Sequence, residues 1–251
     1  MGIFGRLFGK REKLIEPADI SSLKVDIHSH LIPGIDDGAQ DMEESLALLR
    51  RFEALGFQKV ITTPHIMADY YRNTPDIILG GLEKVRAAIK KEGMEIQIEA
   101  AAEYYLDDRF EQLLDDEDLL TFGSKRYLLF ELPFVAEPLN LNSAIFNMQL
   151  KGIKPVLAHP ERYGFWSRDL EKYEELHDKG VILQINLNSL GGYYGPEVKK
   201  VADHLVEQEL IGLVGTDCHR SDHLDALEQV TLRVPSFHRL LEQGKLINST
   251  L

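Results

Sequence analysis

The feature that most constrains the fold of this chain is a regular alternation. From residue 24 onward, short β-rich runs are each followed by a longer segment of helical period. Runs at 24–27, 60–63, 95–101, 127–132, 154–158, 181–186 and 210–215 read as seven strands. The intervening helices carry their own start and stop signals. Asp41, with Glu44 three residues on, resembles a capping box for a helix over 42–55; Met42, Leu46 and Leu49 share one face and Gly56 follows the end. Thr74 and Pro75 open a second helix, with Ile78, Leu82, Val85 and Ile89 as its apolar stripe and Gly93 as its stop. Further helical segments lie near 141–151, 169–179 and 196–208, and the acidic stretch 115–118 reads as a solvated turn. Strands alternating with helices of about ten or more residues pair in parallel through crossovers, so the chain predicts an α/β sheet or barrel. At 251 residues it has the ordinary length of one α/β barrel.

Against that frame the His, Asp and Glu residues fall in a pattern. His28 and His30 follow the first strand, His65 the second and Glu103 the third; Glu131 ends the fourth, His159 follows the fifth, and Asp217 and His219 follow the seventh. Asp37 lies in the glycine-containing loop just beyond the first pair. In a parallel barrel the C-terminal strand ends converge on one mouth, where catalytic groups of this architecture sit. His177, His204, His223 and His238 fall outside the pattern and read as surface or packing residues. Nitrogen and oxygen donors without a thiolate suit manganese, iron or zinc. The four carboxylates carry −4, so one divalent ion would leave the cluster negative, whereas three leave +2 and favour a phosphate dianion. Nine protein ligands over three ions also leave positions open for water and substrate.

His28-Ser29-His30, the GIDDGA loop from Gly34 to Ala39, Thr63-Pro64-His65, Glu103, the FELP segment from Phe130 to Pro133, His159-Pro160-Glu161-Arg162 and Thr216-Asp217-Cys218-His219 resemble the polymerase and histidinol phosphatase (PHP) superfamily. Within it, the chain is most similar to the bacterial capsule-type, metal-dependent protein-tyrosine phosphatases. The resemblance covers about 24–219 and implies a distorted seven-stranded (β/α) TIM-like barrel with three metals, usually manganese. Residue by residue, it implies that His28, His30, Glu103 and Asp217 surround one ion. Glu103 would bridge to a second ion shared with Glu131 and His159, and Asp37, His65 and His219 would hold the third. The family's cationic residue beyond the last His ligand has no clear counterpart, since Arg220, Ser221 and Asp222 follow His219.

The chemistry that fits is phosphomonoester hydrolysis by metal-held water, with no cysteine nucleophile. Cys218 lacks a following phosphate loop and reads as a small buried residue. Arg162, three residues after His159, is the candidate phosphate clamp, its structural alternative being an ion pair with Glu161 or another acid. Tyr70, Tyr71, Tyr163 and Tyr194, with Tyr104, Tyr105, Phe165, Trp166 and Tyr193, are candidates for an aromatic rim around an aryl phosphate or for loop packing. By resemblance, the partner is a tyrosine-phosphorylated protein, a bacterial tyrosine kinase that controls capsule or exopolysaccharide export. A small-molecule phosphatase such as a histidinol-phosphatase and a non-catalytic metal-bound scaffold are the alternatives.

With 28 Lys+Arg against 41 Asp+Glu the net charge is −13, which argues against a nucleic-acid partner. The lone cysteine fits a reducing compartment, and no apolar run is long enough to span a membrane. These point to a cytoplasmic protein with one PHP phosphatase domain over 23–251. Residues 1–22 form an N-terminal extension. Its first part, MGIFGRLFGKREK, reads as a frayed tail or as a basic amphipathic segment in weak contact with the inner membrane surface. Beyond Leu224 no motif stands out.

Overall fold

The computed structural model describes residues 13–116 and 119–251. In chain order its elements are β1 (Val25–Asp26), α1 (Met42–Ala54), β2 (Lys59–Thr62), β3 (His65–Ile66), α2 (Pro75–Glu92), β4 (Gln97–Ala100), β5 (Glu103–Tyr105), α3 (Asp108–Asp116), β6 (Tyr127–Glu131), α4 (Leu141–Leu150), β7 (Lys154–Ala158), α5 (Glu171–Asp178), β8 (Ile182–Asn186), α6 (Leu187–Leu190), α7 (Pro196–Glu207), β9 (Ile211–Gly215), α8 (Ser221–Gln229) and α9 (Pro235–Glu242). The helix signals act as their chemistry dictates. Asp41 accepts the Glu44 N–H at 2.9 Å while Glu44 accepts the Gln40 N–H at 2.9 Å, and the Thr74 hydroxyl accepts from Ile77.

All strand pairs are parallel, but they form two sheets, of order β1-β2-β4 and β3-β5-β6-β7-β8-β9. The seven-strand expectation thus becomes nine strands among the described residues. The additional strands, β3 and β5, continue the lines of β2 and β4 after a short interruption around Pro64, which has no N–H to donate. Bonds from Ala101 N–H to the Thr62 carbonyl and from Glu103 N–H to the Pro64 carbonyl carry the pairing across the interruption. At the other side, Asp217 N–H donates to the His28 carbonyl and His30 N–H to the Cys218 carbonyl, so the chain beyond β9 meets the chain beyond β1.

Two apolar layers follow from the alternation of side chains along each strand. Leu128, Phe130 and Leu157 face the helices, while Tyr127, Leu129, Val156 and Ala158 join Val25, Ile27, Ile61, Ala101, Phe122 and Leu213 in a separate inner cluster. Ile247 and Leu251 pack against that inner cluster from the C-terminal segment. The helices α3, α6, α8 and α9 were not expected from sequence, and Asp115 and Asp116 close α3 rather than forming a turn. Ile15 and Ala18 N–H groups donate to the Arg233 and Leu232 carbonyls, and Ile20 and Leu23 are buried. The packed body therefore reaches back before residue 22. Residues 1–12, which carry nearly all of the basic amphipathic segment, lie outside the described residues. No helix among the described residues is long and apolar enough to cross a membrane.

Candidate metal centre

The inner face of the strands leads directly to the candidate ligands. Counting in twos, Ile61 leads to His65, Ala101 to Glu103, Leu129 to Glu131 and Leu213 to Asp217, so these four extend the parity of the inner apolar cluster. Register completes the arrangement, since His65 is paired with Glu103 and Tyr105 with Glu131. His159 would fall on the outer parity. Its φ of 34° turns the chain there, and Asp217 has a φ of 51°. Such left-handed backbone at non-glycine residues is strained and persists where the surroundings impose it, commonly at functional sites.

All nine predicted residues meet at one mouth. His28 Nε2 lies 3.2 Å from Glu103 Oε2 and 3.4 Å from Asp217 Oδ1, and His30 Nε2 lies 3.5 and 3.6 Å from the same two oxygens. His159 Nε2 is 3.0 Å from Glu103 Oε1 and 3.9 Å from Glu131 Oε2. Asp37 Oδ1 is 3.5 Å from His65 Nε2 and 3.4 Å from His219 Nε2. His65 also reaches the middle of the cluster, with Nδ1 3.1 Å from Glu103 and 3.2 Å from Glu131. Four overlapping sets could each hold an ion: His28, His30 and Glu103; His28, His159 and Asp217; His65, Glu103 and Glu131; and His30, Asp37, His65 and His219.

The unsatisfied atoms test whether cations fit. His28 Nε2, His30 Nε2, His65 Nδ1 and Glu103 Oε2 are all buried without a hydrogen-bond partner, yet converge on one another. Buried polar atoms are normally paired, and cations held by His28, His30 and Glu103 and by His65, Glu103 and Glu131 would satisfy all four. The electrostatics agree. Burial alone would push the His28 imidazole down, but Glu103 and Asp217 outweigh it and raise it to about 9. His30 is likewise raised, chiefly by Asp36, while Glu103 is held well below the carboxylate range by His28 and His65 despite its burial. A potential that stabilises cationic histidines also stabilises metal ions.

Other residues orient these groups, and the sequence reading missed them. Asp36, not only its neighbour Asp37, matters: its Oδ2 lies 2.7 Å from His30 Nδ1 and accepts the His65 N–H at 3.1 Å, and its Oδ1 accepts the Gly38 N–H at 3.0 Å. Gln184, beside a register shift between β8 and β9, places Oε1 2.8 Å from His28 Nδ1. Partners of this kind fix the tautomer and ring direction of a metal-binding histidine. His223, read as a surface or packing residue, is buried on α8 at the mouth, with Nδ1 2.8 Å from the Asp217 carbonyl. Its sequence signal was a spacing of four from His219 on a helix start, which is too common to single it out.

The mouth opens into a cavity of about 540 Å³. Arg162 lines it and donates from Nη1 to Asp217 Oδ2 at 2.9 Å, beside Asn186, which donates to the same oxygen at 2.7 Å. Its guanidinium carbon lies over the ring of Tyr194, 4.5 Å from the centroid, and over that of Phe134, 5.1 Å from the centroid. Tyr71 and Tyr194 line the cavity, and Tyr71 stacks on His65. The other two rim tyrosines are corrected. Tyr163 is wholly buried: its hydroxyl accepts the Leu132 N–H and donates to the Ala158 carbonyl, so it braces the loop from beneath. Tyr70 is 78% exposed and lies outside the cavity lining. Cys218 is buried, and burial pushes its thiol well above the usual range.

The family described as "Capsular polysaccharide synthesis, CpsB/CapC" matches residues 24–228. The chain is 32% identical over 195 residues to tyrosine-protein phosphatase YwqE of Bacillus subtilis, covering 78% of this chain and 77% of that one. It is 30% identical over 204 residues to tyrosine-protein phosphatase CpsB of Streptococcus pneumoniae, covering 79% and 84%. A solved structure from work on those two proteins, described as unique metal-dependent tyrosine phosphatases, superposes with a TM-score of 0.76 at 30% identity, covering 87% of this chain and 86% of that one.

Proposed function

The chain belongs to the CpsB/CapC capsular polysaccharide synthesis family, and from that premise we propose that it hydrolyses phosphotyrosine on a protein at the mouth described above. It is a metal-dependent tyrosine phosphatase, a phosphoric monoester hydrolase. In this reading His28, His30, Glu103 and Asp217 would hold one ion, Glu103 with Glu131 and His159 would hold a second, and Asp37, His65 and His219 would hold a third. Manganese is the favoured metal, with iron or zinc as substitutes. One observation carries the reading: the four buried, partnerless donor atoms of His28, His30, His65 and Glu103 point at one another.

Divalent ions bound there supply a water of lowered pKa and positive charge toward the phosphoryl oxygens. The chain's own residues do the rest. Arg162 offers a planar guanidinium to the phosphate; it is held by its bond to Asp217, whose same oxygen also accepts from Asn186, and it lies over the rings of Tyr194 and Phe134. Cys218, a buried thiol with a raised pKa, takes no nucleophilic part. We read the two sheets as one distorted barrel of a single domain over 23–251, onto which the stretch from Ile15 to Ser22 also packs. The proposed substrate is a tyrosine kinase of capsule or exopolysaccharide export, met in the cytoplasm, with residues 1–13 in weak contact with the membrane.

The test couples metal content to turnover. Chelation should abolish hydrolysis of a phosphotyrosine peptide, manganese should restore it, and Cys218→Ser should stay active. Activity that persists in demonstrably metal-free protein overturns the mechanism. Faster hydrolysis of histidinol phosphate than of any phosphotyrosine peptide would instead make the chain a small-molecule phosphatase.

A further inference from the structure

The loop between β6 and α4 has an unusual build. It is pinned at both ends and apolar at its tip. Leu132 N–H donates to the buried Tyr163 hydroxyl at 2.8 Å, and Glu137 accepts from Trp166 Nε1 and Lys172 Nζ, each at 2.8 Å. Between and beyond these anchors, Phe134 is 46% exposed, while Val135 and Leu139 are almost fully exposed. A scattered surface apolar residue needs no explanation. Phe134 differs because it lines the cavity and is held there. Its ring stacks on His159 at 5.8 Å with an interplanar angle of 22°, and it lies against the Arg162 guanidinium.

Resting on the phosphatase reading above, we propose that this loop is the substrate-selecting element, with Phe134 packing on the phenyl ring of phosphotyrosine and Val135 and Leu139 packing on an apolar side chain next to it in the peptide. The phosphoryl group lies at the metal centre and Arg162. The aryl ring of phosphotyrosine extends outward by one ring from there, within reach of Phe134, which lies on Arg162, lines the cavity and is still 46% exposed. A phosphoserine is shorter by that ring and leaves the Phe134 face wet. Stacking with the substrate ring therefore favours aryl over alkyl phosphates, and the anchored loop presents the face without an ordering cost. The peptide is the occupant because Val135 directly follows the cavity-lining Phe134 in the chain and Leu139 is exposed on the same loop, so apolar surface leaves the site along this loop.

The test compares kcat/KM for phosphotyrosine and phosphoserine in otherwise identical peptides, using the manganese-loaded full chain. Phe134→Ala should lower the tyrosine-to-serine ratio by about tenfold, mainly through KM for the phosphotyrosine peptide. Phe134→Leu, which keeps apolar packing on Arg162 and His159 but lacks the flat ring, should lower it as well, and Phe134→Trp should keep it. A Val135→Ser, Leu139→Ser double variant should lose the preference for leucine over serine beside the phosphotyrosine. Ratios within twofold of wild type in the Phe134→Ala and Phe134→Leu proteins, at normal metal content, overturn the proposal while leaving the phosphatase reading intact. A wild-type protein that turns over no phosphotyrosine peptide overturns both.

Discussion

Arg162 and Asp217 share a contact that sets what each can do. The guanidinium neutralises one oxygen of a carboxylate whose other oxygen faces His28 and His30. Removing the arginine takes away a positive neighbour, so it should not weaken the hold of Asp217 on a cation. Arg162→Ala should therefore keep its metal but lose about a hundredfold in turnover, and Arg162→Lys should recover only part, since a point charge cannot form two parallel bonds. Metal analysis beside steady-state kinetics checks this; a protein that fails by losing metal refutes the clamp. Asp36 makes the opposite prediction. Asp36→Asn weakens the partner of His30 Nδ1 and of the His65 N–H, so metal affinity, read by competition with a chelator, should fall about 10-fold or more. Unchanged affinity would reduce Asp36 to a loop brace.

At the scale of elements, strand ends act as rigid mounts only where the backbone can come close enough. A Cβ on Gly215, the last residue of β9, would lie 2.4 Å from the His28 Cβ, and one on Gly38 would lie 2.1 Å from the His30 carbonyl oxygen. Neither obstacle is the flexible end of a side chain. Gly215→Ala must therefore displace the segment carrying His28, at a cost of about 1–3 kcal/mol. Both a lower Tm and a lower metal occupancy are expected, whereas normal occupancy would mean that the histidine segment can yield. The short strands β3 and β5 have the same role: too brief to contribute much stability, they fix His65 beside Glu103 in register.

Across the whole molecule, the C-terminal segment ties the first strand to the last. Asn248 is fully buried; its amide donates to the Val25 and Val214 carbonyls at 3.0 and 2.8 Å, and its oxygen accepts the Val214 N–H at 3.1 Å. Asn248→Ala would leave three buried backbone groups unpaired, so the loss in unfolding free energy should be about 3 kcal/mol. Denaturant unfolding checks it, and a shift under about 0.5 kcal/mol would mean that the two sheets hold together without this tie.

The sequence by itself determined the alternation of strands and helices, the caps of α1 and α2, and the cluster of His, Asp and Glu at strand ends. Each of these rests on residues near one another in the chain: periodicity, a capping side chain, a donor at the end of a run. Tertiary structure alone decided which aromatic residues line the cavity at the mouth. Tyr163 and Phe134 both follow strand ends, but one went under the loop as a brace and the other into the wall, because burial depends on what packs above. It also decided that Asp36 and Gln184 orient the histidines, that His223 sits at the mouth, and that β2 and β4 break into pieces around Pro64. Those outcomes depend on contacts between residues as far apart as His28 and Gln184, and no local pattern encodes a partner that distant in the chain.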